Sequence, residues 1–350
     1  MNDYISKIYS QLTGHTINEV IVAFEQLEVK DSHTGDLYFE TCGVPNTIEL
    51  FNAPYERFIS YEFLMQKLKE ANANKFSLIH KGTPYYFLAW TAFEIRNYGM
   101  AVFYMDLALG EDIRKVLPVG KTQEDIAKEA LGNPGGNLWK FIPDGPAIRI
   151  IQQLREYVSK ALTDFQTRTS GEIKLDDFVN KFVIESIAKN VKNRSLISAL
   201  YSYVCETQDM CETLKIRSQN ISSIEPLLDN LFKGGLIFES LLKLVADQKS
   251  WLISGNKPAT LGAFNQINDF LTLFSLSRTD FVTSAPDLPS ILSNATDDTL
   301  KTSFSITAQL RNTAGHDLRR DDIFQNPDDF KLLADKQMNA ILFVVKKALI

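Results

Sequence analysis

The chain has 350 residues, 45% of them apolar and 23% charged, enough to bury a sizeable core and too balanced for a disordered or fibrous protein. Its net charge is −6, which excludes the broadly basic surface of a general nucleic-acid binder, so any nucleic-acid site must be local. A chain of this length is expected to hold two domains, or three.

Helical periodicity dominates, and the expected fold class is mainly α. Near the N-terminus Ile5, Ile8 and Leu12, then Val20, Val22, Phe24 and Leu27, predict one or two amphipathic helices over 3–28. The opening Met1-Asn2-Asp3-Tyr4 has neither the basic nor the apolar region of a leader, and the expected location is cytoplasmic. Residues 31–36 read as a loop. A short β-hairpin is expected at 37–51, where Cys42-Gly43-Val44-Pro45-Asn46 separates two apolar runs.

Residues 84–112 predict two helices, opened by Pro84 and parted near Gly99. Tyr85, Leu88, Ala89 and Ala92, then Ala101, Met105 and Ala108, resemble one tetratricopeptide-type hairpin. Any helical hairpin with small residues at its seam would look the same, and no second copy follows at that period. Residues 132–146 hold four glycines and three prolines and read as a linker or a functional loop. Further helices are expected at 147–164, 175–191, 194–216, 222–248 and 260–275, with Gly234-Gly235 a kink or an end. Residues 277–296 read as a loop. The last two helices are expected at 298–314 and 328–349. Asn326, Pro327, Asp328 and Asp329 mark the start of the final one. Phe330, Ala334, Met338, Ile341, Val345 and Leu349 form its apolar stripe. The expected domains are 1–165, a helical sensor or scaffold, and 166–350, a second helical domain.

The chemistry-bearing motif is Arg311-Asn312-Thr313-Ala314-Gly315-His316. Arg311 continues the apolar stripe of Leu300, Phe304 and Ala308, so it either pairs with an acid or points into a cleft. Gly315 suits a helix C-terminus, and His316 just beyond it carries an imidazole that titrates near neutrality. This arginine, its polar neighbour and the histidine five positions on, set between the last two helices, resemble the signature of HEPN domains. The likeness covers about 220–350. It implies a helical bundle that pairs as a homodimer and a metal-independent endoribonuclease, in which the ribose 2′-hydroxyl attacks the adjacent phosphate. It also implies Arg311, Asn312 and His316 as catalytic residues, with no metal or cofactor, and a place in a defence or toxin system. Arg311 would stabilise phosphorane charge, His316 would move protons, and Asn312 would orient the site. The plain structural alternative is a salt-bridged Arg311 and a capping His316.

Arg319 and Arg320 are candidates for RNA phosphates. Asp317, Asp321 and Asp322 lie beside them, and eight basic and eight acidic residues follow from Asp297 to the end, so a charge-balanced surface is the competing reading. The expected partners are an RNA substrate and a second copy of the chain. A regulatory protein docking on the 84–112 hairpin and a nucleotide held by the 132–146 loop are the further ones. No membrane is expected, because the best apolar runs are broken by Asp106 or by Lys346-Lys347. The competing function is a non-catalytic helical scaffold or regulatory binding protein.

Other signals carry less. Gly120-Lys121-Thr122 lacks the earlier glycine of a phosphate-binding loop, since position 115 is Lys115. The 132–136 glycines do not match a dinucleotide fingerprint. His15, His33 and His80 show no partner at a readable spacing. Cys42, Cys205 and Cys211 have no metal-site spacing and suggest a reducing compartment. Trp90, Trp139 and Trp251 are expected as core or interface anchors.

Overall fold

The structure, a computed structural model, describes residues 2–28, 52–115, 120–143, 148–215, 225–314 and 327–350. The described chain is all-α: it contains no strand, and the bridge from Ile253 to Asn256 is isolated. The hairpin expected at 37–51 lies outside the described residues. No described helix is long and apolar enough to cross a membrane.

The first helices are α1 (Asn2–Thr13), α2 (Ile17–Gln26), α3 (Pro54–Ala71), α4 (Ala73–Leu78), α5 (Gly82–Glu94), α6 (Tyr98–Lys115), α7 (Gln123–Gly132) and α8 (Pro134–Lys140). Next come α9 (Ile148–Thr169) and a helical turn, Leu175–Asp177, that runs through a π-helical stretch, Phe178–Ile184, into α10 (Glu185–Lys189). After α11 (Arg194–Lys215) and α12 (Glu225–Gln248) stand two short helices, α13 (Asn268–Phe274) and α14 (Leu288–Asn294). The chain closes with α15 (Leu300–Ala314) and α16 (Pro327–Val344), the latter followed by a π turn, Val345–Leu349. Contacts divide the chain into two compact units, Met1–Arg155 with Val183–Ser198 and Glu156–Phe182 with Ala199–Ile350.

The first unit is organised on the α5–α6 hairpin. Leu88, Ala89, Ala92, Ala101, Met105 and Ala108 are all buried in it, because small side chains let the two helices approach closely. Thr122 begins α7 as a reciprocal cap with Asp125, so Gly120-Lys121-Thr122 is a helix start.

Residues 132–146 are neither linker nor open loop where they are described. Pro134 takes the first turn of α8, where its missing N–H would be unpaired in any case. Leu138, Trp139 and Phe141 are buried behind it. A Cβ at Gly136 would lie 2.2 Å from the Leu131 carbonyl oxygen, so the glycine permits a tight corner between α7 and α8. Likewise 277–296 is not all loop: Asp287 caps α14 by accepting from the Ser290 N–H at 2.9 Å.

The second unit packs α12, α15 and α16 against one another. Phe238 of α12 meets Phe304 of α15 with ring centroids 4.8 Å apart. Phe274 adds a further ring 5.0 Å from Phe304. Buried polar groups fix the register. Tyr203 O–H donates to Gln337 Oε1 at 3.0 Å, and Gln337 Nε2 donates to the Leu231 carbonyl at 2.6 Å.

The glycine pair explains how these helices come so close. Gly234 and Gly235 do not end α12, which continues to Gln248. A Cβ at Gly234 would lie 2.5 Å from Gln337 Oε1 and 2.7 Å from the Tyr203 hydroxyl oxygen. A Cβ at Gly235 would lie 2.5 Å from Arg311 Cβ. The pair is a contact surface, not a break in the helix. Trp90, Trp139 and Trp251 are buried, as anchors should be.

Gly234→Ala is therefore expected to destabilise the protein by about 1–3 kcal/mol, although alanine favours a helix by about 1 kcal/mol. Urea unfolding checks this against Gly132→Ala, where nothing lies within 4 Å of the added Cβ. A Gly234→Ala midpoint at or above wild type would contradict the tight approach.

Candidate functional site

The site is built at the C-terminal end of α15. Thr299 caps that helix, accepting from the Thr302 N–H at 3.3 Å. The stripe through Phe304 and Ala308 is buried, and Arg311 is the next residue on that face. Its side-chain stem lies against Gly235 of α12.

One turn further along α12 stands Glu239. Arg311 Nε donates to Glu239 Oε2 at 2.7 Å. Lys243 Nζ donates to Glu239 Oε1 at 2.6 Å. The Glu239 side chain is 6% exposed and that of Arg311 34%. Of the two ways to end an apolar stripe in arginine, pairing with an acid is the one observed.

The adjacent residues tie the helix end to the preceding segment. Asn312 Oδ1 accepts from Arg311 Nη1 at 3.2 Å, and Asn312 Nδ2 donates to the Thr283 carbonyl at 2.7 Å. Thr313 Oγ1 donates to the Pro286 carbonyl at 2.8 Å. A guanidinium has five N–H donors. Two of those on Arg311 are engaged here, leaving three without a described partner. The cluster of Lys243, Glu239 and Arg311 carries two positive charges and one negative, and both cations are partly exposed, Lys243 at 41% and Arg311 at 34%.

Of the sequence candidates, Arg311 and Asn312 are brought together. His316, Arg319 and Arg320 lie outside the described residues. Glu239, Lys243, Thr283 and Pro286 were not anticipated. Glu239 left a trace: it is the one acid in the apolar run from Leu236 to Leu242, and a buried carboxylate implies a partner. Thr283 and Pro286 contribute only backbone carbonyls, which residue type does not reveal.

The first unit has a polar cluster of its own. His80 Nε2 stands 3.2 Å from Asp112 Oδ1, a pairing that a separation of 32 positions concealed. Beside it, buried Lys81 donates to the carbonyls of Phe76 at 2.8 Å and Ile79 at 2.7 Å. Glu111 accepts the Lys81 N–H at 3.0 Å and Arg114 Nη2 at 2.6 Å. Burial holds the Lys81 ammonium pKa below its ordinary value, opposed by the charge of Glu111. These bonds close the corner between α4 and α5, which is a structural task.

In the second unit a groove of about 580 Å³ is lined by Arg168, Lys301, Lys347, Phe274 and Phe343, and not by Arg311. Burial pushes the Cys205 thiol pKa well above its ordinary value and raises that of Cys211 to about 11, so neither is an activated nucleophile. Among the described residues no group of three metal-ligating side chains occurs. No family model, no curated protein and no solved structure matches the chain.

Asn312→Ala removes two hydrogen bonds and is expected to lower stability by about 1–2 kcal/mol. A urea-unfolding difference below about 0.5 kcal/mol would show that the Thr283 tether contributes nothing to the helix end.

Proposed function

We propose that the chain is a metal-independent endoribonuclease of HEPN type, working as a homodimer in the cytoplasm. The observation that carries the reading is Arg311. It stands in the last turn of α15, held through Nε and one N–H of Nη1, with three N–H groups unengaged among the described residues. A guanidinium in that state can take a phosphate oxygen in two places.

In this reading the ribose 2′-hydroxyl attacks the neighbouring phosphorus, and the bond to the 5′-oxygen breaks, leaving a 2′,3′-cyclic phosphate. Arg311 stabilises the charge on the equatorial oxygens. His316 transfers the proton between the attacking and leaving oxygens, and it alone has a pKa suited to both roles near neutrality. Asn312 orients Arg311 through Nη1. Arg319 and Arg320 contact flanking phosphates, and the second copy of the motif completes the site. The first unit then senses a trigger or restrains the site, as a defence or toxin system requires.

One observation favours a second reading, a non-catalytic scaffold. Arg311 already has a buried acid, and a salt-bridged helix end needs no substrate.

Incubation of mixed single-stranded RNA with the protein in EDTA separates the two. The expected result is cleavage that survives chelation, leaves cyclic-phosphate ends and falls about a hundredfold or more in Arg311→Ala and in His316→Ala. Cleavage undiminished in both variants would sink the site assignment, and a wild type that cleaves nothing would favour the scaffold.

A further inference from the structure

We infer that Glu239 is a positioning residue for Arg311, whose buried carboxylate holds the guanidinium by Nε and turns its remaining N–H groups toward a phosphate oxygen. The inference rests on the ribonuclease reading for the identity of that phosphate.

Three observations converge on it. A carboxylate that is 6% exposed loses most of its hydration, and an ion pair in that setting seldom stabilises a protein more than apolar packing would. Its benefit lies in geometry. Each oxygen has its own cation, Oε1 the Lys243 ammonium at 2.6 Å and Oε2 the Arg311 Nε at 2.7 Å. The carboxylate is thereby fixed in rotation as well as in place.

The second observation is the seat one turn earlier on α12. The stem of Arg311 rests where a Cβ at Gly235 would lie 2.5 Å away from it, so the stem cannot swing toward α12. From the other side Asn312 accepts from Nη1 and is itself held by the Thr283 carbonyl. The guanidinium is fixed at two points on different elements.

The third is a contrast within the same unit. Arg168 donates from Nε and Nη2 to Asn339 Oδ1 at 3.2 and 3.0 Å and pairs through Nη1 with Asp335 at 3.1 Å, so all three of its nitrogens have a partner. Its side chain is 17% exposed. That is a structural arginine. Arg311 has twice the exposure and an unbonded Nη2 among the described residues.

The role predicts a graded series. Glu239→Ala removes the acceptor, Glu239→Gln keeps an oxygen without the charge, and Glu239→Asp keeps the charge on a shorter arm. For RNA cleavage, kcat is expected to fall about 10–100-fold in Glu239→Ala, with KM within threefold. Glu239→Gln should recover part of the loss. A merely structural ion pair would not divide kcat from KM in this way.

The deciding experiment combines these rates with side-chain NMR of the full-length ¹⁵N-labelled protein. The Arg311 Nε–H resonance is assigned by its loss in Arg311→Lys. The probe is a 2′-O-methylated RNA hexanucleotide, which cannot attack its own phosphates. The expected result is a slowly exchanging Nε–H signal in the wild type that shifts with the hexanucleotide. In Glu239→Ala, at a thermal midpoint within a few degrees of wild type, it should merge with the exchanging arginines. Should Glu239→Ala not fold, Glu239→Gln and Glu239→Asp are read instead. Wild-type cleavage rates in a folded Glu239 variant would overturn the role and leave the ribonuclease standing. A wild-type signal that ignores the hexanucleotide would overturn it as well. A Glu239-dependent shift in a protein that cleaves nothing would uphold the positioning role and refute the ribonuclease.

Discussion

The close approach of α12 to its neighbours is the constraint on which the second unit depends. Two residues without side chains, Gly234 and Gly235, bring the α12 backbone to within reach of Gln337, Tyr203 and Arg311. Once the helices are that near, the Leu231 carbonyl becomes an acceptor for Gln337 and Glu239 becomes reachable from Arg311 Nε. Larger residues at either position would separate the helices and remove the polar bonds with them. Packing and site geometry in this unit therefore have one origin.

A buried carboxylate between two cations is a poor device for stability and a good one for orientation. Its neighbours behave consistently with that. Asn312, half-buried, and Thr313, buried, bond the carbonyls of Thr283 and Pro286. The last turn of α15 is fixed on two sides, and the Arg311 side chain keeps 34% of its surface exposed. Arg168 of the same unit, with a contact at each of its three nitrogens, is the more fully engaged arginine.

Much of the fold was legible in the sequence where local and global signals agree. The stripe through Phe304 and Ala308 located α15, and that through Phe330, Ala334 and Met338 located α16, because period and burial coincide there. The segment around Pro134 was misread since proline and glycine count as breakers by composition, whereas at a helix start they are tolerated. Gly234-Gly235 does not end the helix, and its packing role was hidden for a related reason: propensity prices a helical glycine but does not reveal a second helix lying against it. For the site, Arg311 and Asn312 were legible from their spacing. Glu239 was hidden by 72 positions and His80 from Asp112 by 32, distances that only the tertiary fold closes. Backbone acceptors such as the Thr283 carbonyl have no signature in residue type at all.

The tether between α15 and the segment ahead of α14 has a mechanical consequence. Asn312 grips Thr283 with one end of its amide and Arg311 with the other. A hydrogen bond weakens steeply once its geometry is lost, so a displacement of Thr283 by an ångström would pull Asn312 away from Nη1. The guanidinium would then hang from Glu239 alone, free to pivot about a single bond. The stretch around Thr283 thus acts as a lever arm on Arg311, and a force applied there would retune the arginine without touching it.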